Sequence, residues 1–152
     1  MAKTRPDTIL LRGEPNRFQR DAASQVTPGM LIELTSSNTV QPHSTADGRQ
    51  ARMVAVEQEF VGDGIEHVYK SGEAVQINVF RPGDVAFMHL ADGEDASTGN
   101  YLASNGDGKL KVETSAGTGD LEGSLVALAL EDVDMSGSSA ADPAGRIKVL
   151  IV

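Results

Sequence analysis

The stretch V-Q-I-N-V-F-R-P-G-D-V-A-F-M-H, Val75 to His89, decides the fold class. Val75, Ile77 and Val79 alternate with Gln76 and Asn78, and Val85, Phe87 and His89 share a side farther on. An apolar residue at every second position is the spacing of a half-buried strand, because successive side chains of an extended chain point to opposite faces. Arg81-Pro82-Gly83-Asp84 separates the two runs. Proline presets the first central φ and glycine accepts a positive second one, so the spacing predicts a type II turn between two strands.

The same period recurs outward from this segment. Met30, Ile32 and Leu34 alternate with Leu31, Glu33 and Thr35, after a Thr27-Pro28-Gly29 entry; Ile147, Val149 and Ile151 share a side near the end. The run L-E-G-S-L-V-A-L-A-L, Leu121 to Leu130, reads as a strand buried on both faces, because Gly123 breaks its helical alternative. Loops are expected at 36–50, 91–99 and 135–145. No segment holds a long helical period and none repeats at solenoid or propeller spacing. The pattern is all-β.

The chain has 152 residues, which favours one domain with a modest core. It has no cysteine, which excludes disulfide frameworks, thiolate metal sites and cysteine nucleophiles. No apolar run is long enough for a membrane span, and the N-terminus lacks the apolar core of a signal peptide, so a soluble protein without a cleaved signal is expected. The net charge of -9 is uneven. Residues 1–20 carry five cations (Lys3, Arg5, Arg12, Arg17 and Arg20) against Asp7 and Glu14, a net +3, leaving -12 for the rest. We therefore divide the chain into an extended basic N-terminal arm, 1–20, and a β-rich body, 21–152. The arm suits an acidic partner, either nucleic acid or an acidic protein surface, or a solvated tail, whereas the charge of the body argues against its own surface binding nucleic acid. The excess of acid and lack of tryptophan fit a high-salt habitat as well as an ordinary acidic protein. Ile9, Leu10 and Leu11 form a brief apolar patch that could add a strand to a sheet edge, in this subunit or a neighbour.

Chemical motifs fail when tested against spacing. In S-N-G-D-G-K-L-K-V, Ser104 to Val112, a phosphate loop would need glycine in place of Ala103 and Ser or Thr in place of Leu110. A calcium loop would need ligands in place of Ala103 and Thr114. A tight turn between Tyr101-Leu102 and Leu110-Lys111-Val112 remains. His43, His67 and His89 have no partners at zinc spacing; His43 falls in an expected loop, and His89 on a strand reads as a core or interface histidine. Asp92-Gly93-Glu94-Asp95 and Glu131-Asp132-Val133-Asp134 could pair carboxylates for glycosidase chemistry, but with no tryptophan and few other aromatics they read as solvated loops and strand ends. No catalytic residue, cofactor-binding residue or metal ligand is expected, and no enzyme.

The run K-S-G-E-A-V-Q-I-N-V-F-R-P-G-D-V-A-F-M-H-L-A-D-G-E, Lys70 to Glu94, resembles part of a tailed-virus head decoration, or capsid cement, protein. So do S-N-G-D-G-K-L-K-V, G-S-L-V-A-L-A-L-E-D-V-D and the closing G-R-I-K-V-L-I-V. The resemblance spans roughly residues 65–152. It implies a small β-sandwich or barrel-like body of tulip-like sheets with an extended arm. It also implies a homotrimer on the outer surface of an expanded icosahedral head, made in the host cytoplasm of a bacterium or archaeon. The implied partners are the major capsid protein and the chain itself, with no nucleic acid, membrane, cofactor or catalysis. On this reading Ile9, Leu10, Leu11, Arg12, Arg17 and Arg20 form a capsid-docking arm, and removing residues 1–20 leaves the body folded. Two other classes stay open: a carbohydrate- or surface-binding β-module on a virion, and a trimeric β enzyme acting on nucleotides.

Overall fold

The computed structural model describes residues 6–114, 125–136 and 145–152. Thirteen strands lie among them, with a single 3-10 turn at Glu59–Val61 and no α-helix. In chain order the first seven are β1 (Leu10–Arg12), β2 (Asn16–Asp21), β3 (Ile32–Leu34), β4 (Val40–Pro42), β5 (Met53–Val56), β6 (Ala74–Val79) and β7 (Val85–His89). The remainder are β8 (Asp95–Ala96), β9 (Tyr101–Ser104), β10 (Leu110–Val112), β11 (Leu125–Ala129), β12 (Val133–Asp134) and β13 (Arg146–Ile151). All ladders between them are antiparallel. The largest sheet runs β1-β7-β13-β11-β9-β10, a second runs β2-β6-β5, and β3-β4 and β8-β12 form two-stranded ribbons. The arrangement is sandwich-like, and no closed barrel forms among the described residues.

Two cores explain the layering. Val54 and Val56 of β5 join the larger cluster with Phe87, Met88, Ile147, Val149 and Ile151. Met53 and Ala55, on the opposite face of the same strand, join Val75 and Ile77 in the smaller. Leu31 and Ile32 divide in the same way, one to each cluster. The segment around β3 and the strand β5 are thus shared walls, apolar at successive positions because both faces are covered.

The deciding stretch folds as two strands, β6 and β7, in different sheets. The Asp84 N–H donates to the Arg81 carbonyl at 3.0 Å and Gly83 sits at φ 98°, so the turn carries the chain from one layer to the other. Alternation understates burial here: Gln76 and Asn78 are buried along with Ile77, because β6 is the central strand of its sheet. Leu34, grouped with Met30 and Ile32 by period, is instead half exposed, since β3 ends there.

Other expectations need adjustment. The loop expected at 36–50 contains β4, and that at 91–99 contains the two-residue β8; such short strands offer too few alternations to be read. Within Leu121–Leu130 the strand is β11, with Leu125 and Leu128 half buried and Val126, Ala127 and Ala129 fully so. Positions 121–124, and most of the 135–145 loop, lie outside the described residues. Strands β2 and β5 were not anticipated.

Candidate docking surface

The N-terminal segment is laid on its own body. Ile9 is fully buried and Leu10 and Leu11 pack partly against the larger core. The Ile9 carbonyl accepts the Phe87 N–H at 2.8 Å, and β1 continues as the edge strand beside β7. The Ile9 N–H donates to Glu57 Oε2 at 3.1 Å. Glu57 is itself buried; burial, reinforced by Glu59 nearby, pushes its carboxyl up despite the hydrogen bonds it accepts. Gly13, at φ 121°, crosses so close to Asp84 that a Cβ there would stand 2.1 Å from Asp84 Oδ1. Only glycine fits both that backbone and that gap.

Beyond Gly13 the chain forms β2, paired with β6 from Asn16–Val79 to Asp21–Ala74. Phe18 packs on the smaller core, which is the one apolar signal in N-R-F-Q-R-D. Of the six arm residues expected to dock, three are therefore occupied by the protein's own core, and three arginines remain toward the surface. Arg12 and Arg17 are exposed, and Arg20 is half buried. The structure brings Arg17 to the 3-10 turn: its guanidinium lies 5.6 Å from the Phe60 ring centroid and donates to the Glu57 carbonyl at 3.4 Å. Arg20 turns elsewhere, over Phe18 at 5.1 Å and to Asn38 Oδ1 at 3.0 Å. Phe60 is 85 % exposed and Val61 64 % exposed. An aromatic ring held in water beside a guanidinium, with β2 behind it, is an arrangement suited to protein contact. Sequence reading missed this tip. Its signal was weak: two apolar residues in E-F-V, followed by G-D-G.

The other polar residues are fasteners. His43 is buried, with Nδ1 2.7 Å from Ser104 Oγ, Nε2 2.8 Å from the Arg49 carbonyl and Glu33 Oε2 at 3.8 Å. The trio has hydrolase composition, but Ser104 is wholly buried and its hydroxyl also accepts the Gly106 N–H, so the histidine acts as a cross-link. The Ser104–Val112 stretch is the β9–β10 turn, closed by the Lys109 N–H on Asp107 Oδ1, and Gly108 bonds both His43 and Leu31 through its main chain. His67 lies 3.7 Å from Asp63, 3.6 Å from Glu73 and edge-on to Tyr69, and His89 is buried on β7.

The carboxylate runs fasten turns. Asp132 accepts from the Thr98 N–H and hydroxyl, which hold its carboxyl low, and Glu94 and Glu131 accept from the Val112 and Lys148 N–H groups. Arg146 is the one large cation sealed inside among the described residues. Its guanidinium donates to the carbonyls of Pro28 (3.1 Å) and Ile65 (2.7 Å) and pairs with Glu66 at 2.9 Å, tying two loops to β13.

No family model and no curated protein matches the chain. Among solved structures, the head fiber gp8.5 N base of bacteriophage phi29 superposes with a TM-score of 0.57 at 13 % identity, covering 91 % of this chain and 95 % of that one. The two chains share a fold. The match takes in most of both chains.

Proposed function

We propose that the chain is a structural protein of a tailed-virus head, a decoration or cement protein that binds the outer surface of the expanded shell as a trimer and holds neighbouring major capsid subunits together. The observation that carries this reading is the fold shared, over 91 % of this chain, with the base of a phage head fiber. The sequence resemblance to decoration proteins over 65–152 supports it from a separate direction. The protein performs no catalysis on this reading; its polar clusters fasten loops.

Contact with the shell falls to Arg12 and Arg17, cations of the N-terminal segment that the protein's own core leaves at the surface, and to the exposed Phe60 and Val61, Phe60 lying beside Arg17. Each contact is small, and repetition over a lattice supplies the holding strength. Pelleting with undecorated, expanded shells tests this. Saturable binding near one copy per major capsid subunit is expected; absence of binding to shells that accept another ligand would refute it and favour a glycan-binding module.

A further inference from the structure

The residue before β3 meets β5 at the Leu31–Val54 bridge, and no ladder joins the two strands beyond it. Arg52 takes a left-handed backbone, φ 56°, unusual for a residue with a side chain. Two clamps hold it there: its N–H donates to Gln50 Oε1 at 2.6 Å, and its Nε donates to the Val152 carbonyl at 2.7 Å. Strain of this kind persists only when the surroundings fix it, and it gathers where ligands are held. Beside Arg52 lies an open groove of about 260 Å³, with Ile32, Leu34 and Met53 as apolar lining and Ala51, Gln50, Glu33, His43 and Arg49 around them.

Three features define an occupant. The first is size. A groove of about 260 Å³ lies below the roughly 300–1,000 Å³ of pockets that enclose drug-sized ligands, yet a cavity of about 150 Å³ already admits benzene. It holds one large apolar side chain. The second is the open strand edge. Bonds from His43 N–H to the Leu31 carbonyl and from Thr35 N–H to the Thr39 carbonyl fix the alternation of the β3–β4 ladder. The Leu34 N–H and carbonyl therefore face away from β4, where extended backbone can pair with them. The third is charge. Arg49 is exposed and has no ion-pair partner among the described residues. Glu33 already brings a carboxylate to the groove: burial acts to raise its pKa, but hydrogen bonds from Ser44 (2.5 Å) and Gln41 (2.8 Å), both to Oε1, and the nearby His43 outweigh this and keep it low. A second carboxylate is thus welcome beside Arg49 and unwelcome beside Glu33.

We propose that this groove is an anchor site for an extended segment of a partner polypeptide, taking one leucine-sized or aromatic side chain against Ile32, Leu34 and Met53 while a nearby carboxylate of that segment pairs with Arg49. No aromatic platform lines the groove, which sets it apart from a sugar site. The inference goes beyond the head-decoration reading and does not require the partner to be a shell subunit.

The test is an NMR titration of the full-length ¹⁵N-labelled protein with the capped pentapeptide Thr-Leu-Thr-Asp-Thr at millimolar concentration. The Leu34, Arg49 and Ala51 amide signals are expected to shift. Replacing the peptide's leucine by alanine should weaken binding about tenfold, and the variant Arg49→Glu about threefold. Arg49 is on the surface, so the variant should keep the parent spectrum elsewhere. Absence of shifts at these amides, or equal binding of the leucine and alanine peptides, would overturn the proposal. So would the same shifts on adding a chitin oligosaccharide, which would reassign the groove to glycans.

Discussion

The main-chain N–H of Ile9 donates to the buried carboxylate of Glu57, 3.1 Å away and 48 residues later in the chain. This bond pins the N-terminal segment where β1 enters the large sheet. Burial disfavours the charged form of Glu57, so its folded pKa is raised. For a carboxyl group a raised folded pKa means that the native state binds more protons than the unfolded state between the two values. Stability from this group is therefore present below the ordinary carboxylate range and is lost as pH rises through the folded pKa. Glu57→Gln keeps an oxygen acceptor for Ile9 and removes the ionisation. Urea melts across pH 4–8 should show a flatter stability profile for this variant, with stability at pH 7 equal to or above the parent. A less stable variant with an unchanged slope would show that Ile9 needs the charge.

The arm should matter to folding as well as to docking. Ile9→Ala empties a fully buried site and should cost about 2–5 kcal/mol. Gly13→Ala drives a methyl group into Asp84 at a positive φ and should cost about 1–3 kcal/mol. Removing residues 1–20 takes away β1 and nearly all of β2, exposing β6 and the larger core, so the truncated chain should melt at much lower temperature. An unchanged melting temperature for the truncation would show that the segment lies loose in solution.

Arg146 offers a test of the polar interior. Arg146→Met leaves the Pro28 and Ile65 carbonyls without their donor, at about 1–3 kcal/mol for each buried group. Arg146→Lys should recover little, because a compact ammonium cannot reproduce the planar fork that spans both loops and Glu66. Full rescue by lysine, read in denaturant melts, would reduce the residue to a simple charge.

The surface tip separates binding from stability. Phe60→Ser combined with Arg17→Gln removes the exposed ring and its guanidinium neighbour without touching a core. Shell binding measured by pelleting should weaken about tenfold or more, as for an interface anchor, with the melting temperature within a degree or two of the parent. Parent-like binding would place the contact elsewhere on the molecule.

Much of the fold was legible because of one period. Alternation over Val75–Val79, Val85–His89 and Ile147–Ile151 marked real strands, and Pro82-Gly83 marked a real turn. Short strands such as β4 and β8 hold too few alternations to stand out, and β2 offers only Phe18 in a polar run. Strand β5, M-V-A-V, hides its period because both faces are buried in separate cores. The six arm residues were singled out by charge and hydropathy, properties that cannot tell a free arm from one folded onto its own sheet. Phe60 and Val61 were missed because two apolar residues in a loop look ordinary until their exposure is known. Arg52 was equally silent: its left-handed backbone depends on contacts with Gln50 and with the far end of the chain.

Electron cryomicroscopy of expanded shells saturated with the protein bears most directly on the head-decoration account. The expected map shows three copies around each three-fold and quasi-three-fold position on the outer surface, with the Arg17–Phe60 corner against the shell. Shells that stay bare at saturating protein, or protein found only inside the shell, would contradict it.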